Sequence, residues 1–289
     1  VTSNVEVITK EEIEERHFSG VSEALNTLAG VNIISNGGLG QSDSIFIRGV
    51  DSKRILILVD GVRYNEPAGL SGAPLAQLLI DDIEQIEVVK GAQSGIWGAD
   101  ASGGVVNIIT SSAKKGFHGN ASVEMGSFNT KKYATTLSNK TDLGYVKLNA
   151  NKTEVGGFSA FEAKKNTANY GKRGEELGYE RDGYDNNTYS LQGGLFLTDN
   201  DEVNLGYKKI NAKYDYDNSS SDNTTNKTDV NHFFKSANYI HNQEKYDIKL
   251  NAQQSTFDRK QDTFKAKSLV NEFGIQSNIA YIEDANLVL

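Results

Sequence analysis

The serine and histidine residues of this chain lack the spacing that nucleophilic or metal-dependent catalysis requires. Ser71 lies in GLSGA and Ser94 in GAQSG, and neither run is the GxSxG turn that exposes a catalytic serine. Residues 91–95 also lack the Lys-Ser/Thr ending of a phosphate-binding loop. The histidines fall in separate predicted elements without zinc-ligand spacing: His17, His118, His232 and His241. We therefore predict that the chain is not an enzyme.

Two acidic segments remain as candidates for chemistry. They are ERDGYD at 180–185 and YDYDNSSSD at 214–222. Their carboxylates are ligands that Ca²⁺ prefers, since this hard cation binds about six to eight oxygen atoms. Neither segment has the EF-hand spacing, and a solvated acidic loop is the alternative. No motif requires a cofactor, so Ca²⁺ in these loops is the one cofactor that we consider.

The composition narrows the functional classes further. The 289 residues are enough for two domains, and a chain without cysteine forms no disulfide and no thiolate metal site. A net charge of −8 argues against a nucleic-acid-binding surface. No apolar run approaches the roughly 20 residues of a transmembrane helix. The alternating strands of a β-barrel, however, are also hydrophilic on average.

The first 116 residues predict a compact α/β unit with a mixed sheet. Short helices are predicted at Glu11–Arg16, Gly20–Ala29 and Leu75–Ile80. Strands are predicted at Val5–Ile8, Val31–Ser35, Ser44–Arg48, Ile55–Val59, Ile83–Val89 and Val105–Thr110. The glycine-rich segment between the last two strands indicates that backbone packs closely against backbone there.

After residue 116 the sequence alternates apolar and polar residues, as Val146, Leu148 and Ala150 illustrate. We predict about eight strands, most of them as long as the roughly 9–11 residues of a tilted membrane-spanning strand. They lie near 119–126, 130–138, 145–155, 187–198, 202–211, 232–242, 245–256 and 270–281.

The predicted connections between these strands alternate in length. Short turns fall at 139–144, 198–201, 242–245 and 283–286, and long loops at 158–186, 213–231 and 258–269. This alternation is typical of the two ends of an outer-membrane barrel. A ninth strand starts near Asn286. We therefore expect one domain at 1–116 and, at 117–289, the first part of a longer barrel.

Three segments of the first unit resemble the plug domain of TonB-dependent outer-membrane receptors. They are SIFIRGV (Ser44–Val50), ILILVDGVRYN (Ile55–Asn65) and the block Glu84–Thr110, in the family's order and spacing. The resemblance implies an α+β plug followed by antiparallel strands of a transmembrane β-barrel of about 22 strands, of which 117–289 is the first part. It also implies a receptor in the lipid of the bacterial outer membrane, with no nucleic-acid partner. TonB would be bound through a segment upstream of Val5 that is mostly missing here.

Two further runs are more similar to the cobalamin receptor subgroup than to siderophore receptors. They are NGGLGQSDSIFIRGV at 36–50 and DGYDNNTYSL at 182–191. This similarity implies import of cobalamin or a related corrinoid, with a ferric siderophore as the alternative and haem as a third choice. The alternative from another class is a soluble β-rich binding or adhesion protein.

The resemblance assigns three sets of site residues. Plug apices that contact the substrate fall at Gly37, Gly38, Leu39, Gly40, Gln41, Tyr64, Asn65, Gly69, Leu70 and Ser71. The Ca²⁺ ligands of the loops would be Asp182, Asp215 and Asp229. Charged residues in or beside apolar strands form ion pairs or exposed strand faces of the plug, or they form a polar interface with the barrel wall. The resemblance favours the interface for Arg48, Arg63, Glu84, Glu87 and Lys90.

Overall fold

The computed structural model describes residues 4–69, 72–159, 168, 170–172, 174–217, 225–262, 264–282 and 285–288. These residues form a small α/β unit, called the plug below, and a nine-stranded sheet, called the wall. In the described part of the chain, no helix has both the length and the apolar character needed to cross a membrane.

The plug contains a five-stranded sheet and a separate two-stranded hairpin. Its elements are β1 (Asn4–Thr9), α1 (Lys10–Arg16), α2 (Val21–Leu25), β2 (Val31–Ser35), β3 (Asp43–Ile47), β4 (Ile55–Val59), β5 (Val62–Arg63), β6 (Ile83–Lys90), α3 (Ser94–Trp97) and β7 (Gly104–Thr110). The sheet order is β1-β6-β7-β4-β5, with β4 and β7 parallel and the other pairs antiparallel. The predicted mixed sheet is confirmed, but β2 and β3 pair only with each other.

Two local features explain why the central strands of the plug pack so closely. Gly104 has a φ of 153°, and a Cβ at this position would lie 2.7 Å from the Val89 carbonyl oxygen of β6. Asp60 and Gly61, with φ values of 50° and 77°, form the tight turn between β4 and β5. Because β4 is buried along its whole length, it carries the apolar core of the plug.

The wall consists of nine antiparallel strands in sequential order. Its strands are β8 (Gly116–Gly126), β9 (Thr130–Lys140), β10 (Gly144–Val155), β11 (Tyr184–Phe196), β12 (Asp201–Asp215), β13 (Lys227–Asn242), β14 (Tyr246–Gln261), β15 (Phe264–Ile282) and β16 (Ala285–Val288). The wall has two ends. Tight turns at 141–143, 197–200 and 243–245 define the turn end, and the connections at 127–129, 156–183, 216–226 and 262–263 define the loop end.

Three expectations about connections and helices need correction. The long loop expected at 258–269 is wrong, since β14 continues to Gln261 and β15 begins at Phe264. The loop expected at 213–231 is shorter, because β12 and β13 extend into it. The ends of these strands are polar, but their residues still pair across β12–β13 and β14–β15. The helix expected at 75–80 is a single 3-10 turn, Leu75–Gln77, which follows Pro74.

The wall is polar on the face that covers the plug and apolar on the opposite face. On β10 and β11 the buried residues include Asn149, Asn151, Thr153, Asn186, Thr188 and Ser190. The exposed residues of the same strands include Val146, Leu148, Tyr189, Leu191 and Leu195. This arrangement is the reverse of that in a soluble sandwich, and it is the pattern of a strand with lipid on one side and a polar lumen on the other.

Candidate functional site

Several side chains of the wall bond to main-chain atoms of the plug. The Tyr184 hydroxyl donates to the Ala76 carbonyl at 3.2 Å, and Asn186 Nδ2 donates to the Gln77 carbonyl at 3.1 Å. The Ser255 hydroxyl donates to the carbonyl of Arg63 at 2.9 Å. The three acceptors lie between Arg63 of β5 and Gln77, so this part of the plug is fastened to β11 and β14.

A buried ion pair fastens the plug near its junction with the wall. Lys147 Nζ of β10 lies 2.7 Å from Asp82 Oδ1, and the two side chains are 3% and 9% exposed. The same ammonium donates to the Ser111 carbonyl oxygen at 2.6 Å. The Ser111 hydroxyl donates to Asp82 Oδ1 at 2.6 Å. Asp82 lies just before β6, Ser111 lies just after β7, and Lys147 lies on the polar face of β10. None of the three was predicted from the sequence as a site residue.

An aromatic cluster joins the apolar core of the plug to the wall. Tyr64 is 1% exposed, and its ring centroid lies 5.1 Å from that of Phe234 and 6.1 Å from that of Phe257. Phe234 of β13 and Phe257 of β14 belong to the same hydrophobic cluster as the plug core. Tyr64 therefore faces the wall and has no open surface for a ligand.

A second buried charge pair lies beside this cluster. Glu66 is 6% exposed, and its Oε1 lies 3.6 Å from Arg259 Nη2 of β14. Burial raises the pKa of Glu66, and the charge of Arg259 opposes that increase. His232 of β13 is 1% exposed and lines the same small cavity as Glu66 and Arg259. A cavity of about 40 Å³ separates these groups from the loop that precedes Leu75.

The five charged residues predicted for the interface have different environments. Arg63 Nε lies 2.8 Å from Glu272 Oε1 on β15, so this residue lies against the wall. Lys90 pairs with Glu6 at 2.7 Å inside the plug, and Glu87 accepts from Gln85 and Asn107. Arg48 and Glu84 are exposed on the plug. An ion pair within the plug was an alternative left open by the sequence, and Lys90 forms such a pair with Glu6.

The predicted apical residues are largely packed against other parts of the protein. Gln41 is 4% exposed and donates to the Asp215 carbonyl, and a Cβ at Gly40 would lie 2.1 Å from the Tyr184 ring. The Asn65 side chain accepts from Ile57 N and donates to the Ile55 carbonyl, both in β4. Gly69 lies within a turn. Leu70 and Ser71 lie outside the described residues. Gly37, Gly38 and Leu39 are half-buried and line a cavity.

This cavity of about 660 Å³ lies at the loop end, between the plug and β8–β10. Gly37–Gly40 and α2 form one side, and the hairpin at 126–130 forms the other. Phe128 and Phe158 lie at its mouth with ring centroids 5.1 Å apart. Phe158 also contacts the plug, since its Cε1 lies 3.4 Å from the position of a Cβ on Gly38. The cavity is therefore the place where the plug apex and the wall loops meet.

The charged groups of the cavity are mostly carboxylates. Lys132 of β9 pairs with Glu124 of β8 at 3.1 Å, and the lysine side chain is 6% exposed. Glu23 Oε2 accepts from Ser19 N at 2.6 Å, and Asp43 accepts from the Ser22 hydroxyl. Burial raises the pKa of Asp43.

The acidic loop residues do not form the predicted set. Asp215 lies 3.3 Å from Lys227, and Asp229 lies 3.3 Å from Lys213. Asp182 is instead grouped with Glu180 and Asp217, whose carboxylate oxygens lie within 4.8 Å of one another. A Ca²⁺ site in these loops stays a prediction.

Comparison with known proteins identifies the plug and the architecture around it. Residues 1–105 match the family model described as the TonB-dependent Receptor Plug Domain. Three similar solved structures are a variant of the ferric enterobactin receptor PfeA of Pseudomonas aeruginosa in complex with enterobactin, the siderophore receptor PirA of Acinetobacter baumannii, and the ferric yersiniabactin uptake receptor FyuA of Yersinia pestis.

These structures share the fold at low sequence identity. PfeA has 19% identity, a TM-score of 0.74, and coverage of 96% of this chain and 47% of its own. PirA has 20% identity, a TM-score of 0.72, and coverage of 99% and 47%. FyuA has 14% identity, a TM-score of 0.74, and coverage of 98% and 46%. The chain thus spans about half the length of the receptors that it matches.

The comparisons confirm the predicted fold class and the predicted location in the bacterial outer membrane. They give no support to the cobalamin subgroup, since the receptors named above are siderophore receptors. Residues 1–105 are similar to the plug domain of TonB-dependent receptors, and the strands after them have the fold of part of an outer-membrane receptor barrel.

Proposed function

We propose that this chain is the plug and the first barrel strands of a TonB-dependent transporter that imports a ferric siderophore. The observation that carries the proposal is a plug domain seated on the polar face of a sheet whose other face is apolar. A plug in this position blocks a lumen, so its role is to control passage. The siderophore is preferred to cobalamin because the similar receptors are named for ferric siderophores.

The contacts between plug and wall suit a seal that must rearrange. Several are hydrogen bonds from wall side chains to plug main-chain atoms, each contributing about 1 kcal/mol net. Water can replace such bonds at little cost, whereas separation of the aromatic cluster around Tyr64 exposes apolar surface and carries the larger cost. TonB would pull on the chain before β1, an edge strand that pairs only with β6 among the described strands. The pull would therefore load one edge strand of the plug sheet first.

The uptake experiment uses the full receptor that contains this chain. Iron-loaded siderophores are supplied to cells that carry the receptor, with and without a functional TonB. Accumulation of labelled iron that requires both components supports the proposal. Equal accumulation in the absence of TonB refutes active transport by this route.

A detergent-partition experiment separates the alternative from another class. A transporter enters the detergent phase, because the apolar side chains on the outer face of the wall need a lipid-like environment. A soluble β-rich binding or adhesion protein would remain in the aqueous phase as a folded monomer.

A further inference from the structure

We propose that the small cavity between Glu66 and His232 is a binding site for ordered water, and that this water joins the plug to β13 and β14. The cavity measures about 40 Å³ and is lined on one side by the plug around Glu66 and Gln77. Residues of β12, β13 and β14 line the other side. The inference concerns how the plug is held, so it stands whether or not the transported ligand is a ferric siderophore.

Four buried polar atoms line this cavity without a hydrogen-bond partner in the described part of the chain. Two are oxygen atoms of the plug, Glu66 Oε1 and Gln77 Oε1, and two are nitrogen atoms of the wall, His232 Nε2 and Arg259 Nε. Glu66, Gln77 and His232 are 6%, 3% and 1% exposed. The 3.6 Å between Glu66 Oε1 and Arg259 Nη2 is an ion-pair distance and is too long for a hydrogen bond. Since buried polar atoms almost always bond to protein or to ordered water, four of them around one cavity indicate a solvent site.

The hydrogen bonds already present fix which of these atoms donate. Asp258 N donates to His232 Nδ1 at 3.3 Å, so Nδ1 is unprotonated and the neutral imidazole carries its proton on Nε2. Gln77 Nε2 donates to the Gly40 carbonyl at 2.9 Å, which leaves Oε1 as the amide atom at the cavity. The Nε atom of a guanidinium always carries a proton. The wall therefore presents two donors, and the plug presents two acceptors.

Water matches this set of atoms in size and in chemistry. One water molecule needs roughly 10–15 Å³ of such space, so the cavity has room for about two or three. Each water can accept from a wall donor and donate to a plug acceptor. An ion does not fit, because a cation would lie beside the Arg259 guanidinium and an anion beside the Glu66 carboxylate. Cavities that stay dry have apolar linings, which this one does not have.

A water-filled joint separates differently from the aromatic contact beside it. Tyr64, Phe234 and Phe257 expose apolar surface when the plug leaves the wall. The donors and acceptors of the joint exchange shared water for bulk water, so they are solvated in both positions of the plug. The site therefore specifies where the plug is seated without adding a large barrier to its release.

Diffraction from crystals of the full receptor, at a resolution that shows ordered water, tests the site without any variant. We expect density for about two or three water molecules, at least one of them within about 3.2 Å of Gln77 Oε1 and of His232 Nε2. A cavity without such density, or one that a side chain fills, overturns the proposal.

A double-mutant cycle measures whether the water transmits energy between plug and wall. Gln77→Met removes the plug acceptor, and His232→Phe removes the wall donor but keeps a ring beside Phe257. Each variant should lower the hydrogen-exchange protection of the amides at 75–78 about fivefold or more. The double variant should lose clearly less than the product of the two, because one water bridge is lost only once. The direct bond from Gln77 to Gly40 cancels in the cycle.

Matched controls use the same substitutions away from the cavity. Gln85→Met lies on β6, and His241→Phe lies at the turn end of β13, where the imidazole bonds to Asp201 at 2.7 Å. Gln85→Met combined with His232→Phe, and Gln77→Met combined with His241→Phe, should have additive effects. Additive effects of Gln77→Met and His232→Phe, or equal coupling in all three pairs, overturn the proposal.

Discussion

Replacing Lys147 by methionine should release the plug from β10. The substitution leaves Asp82 charged and buried, and removal of one partner of a buried pair costs about 3–5 kcal/mol. The pair qualifies for this estimate because its side chains are only 3% and 9% exposed and the N–O distance is 2.7 Å. The lysine also loses its bond to the Ser111 carbonyl.

The assay is hydrogen exchange of the β6 amides in the full receptor, measured by mass spectrometry. A loss of this size lowers protection about a hundredfold or more, since 1.4 kcal/mol corresponds to a factor of about ten. The double variant Lys147→Met with Asp82→Asn should recover part of the loss, with a coupling of about 2–3 kcal/mol. The matched control is Lys115→Met, because Lys115 pairs with Asp142 at 2.8 Å but both side chains are mostly exposed. Strictly additive effects, or equal effects of Lys147→Met and the control, would refute the reasoning.

Three further substitutions have defined outcomes. Phe257→Ala should lower the stability of the docked plug by about 3–5 kcal/mol in chemical denaturation, because it removes a fully buried ring from the core shared by plug and wall. Gly40→Ala should make the plug more susceptible to limited proteolysis than Gly49→Ala does. Both have a left-handed φ, with a backbone cost of about 1–2 kcal/mol, but only the Cβ at Gly40 meets the Tyr184 ring. Glu66 has a pKa raised by burial above its ordinary 4.5, so the protonated form favours the docked plug, and stability falls as the pH rises through the raised pKa. Glu66→Gln should remove this part of the pH dependence in denaturation curves, and an unchanged slope would contradict it.

The sequence predicted the elements well because each depends on local patterning. The alternation of Val146 and Leu148 with polar neighbours fixes which face of β10 meets lipid, and the structure has this strand at Gly144–Val155. Strand ends were less predictable, since polar residues beyond the membrane still pair across β14 and β15.

The candidate site was harder to predict because its contacts join distant parts of the chain. Tyr64 follows a turn and has the composition of a surface loop, yet its partners Phe234 and Phe257 lie about 170 or more residues later. Lys147 was visible only as one more polar residue in an alternating strand. A lysine on the same face as Asn149 and Asn151 was the available signal, because a buried ammonium needs a partner.

In the proposed transporter, the attachment around Ser111 has a consequence for recovery after each transport cycle. Lys147 and Gln192 hold the last residues of the plug, Ser111 and Thr110, where the chain passes into β8. A plug displaced from its other end would remain tethered at this point. Its return is then an intramolecular reaction, with an effective concentration of about millimolar set by a short tether. Resealing of the lumen would be fast and independent of how many receptors the membrane contains.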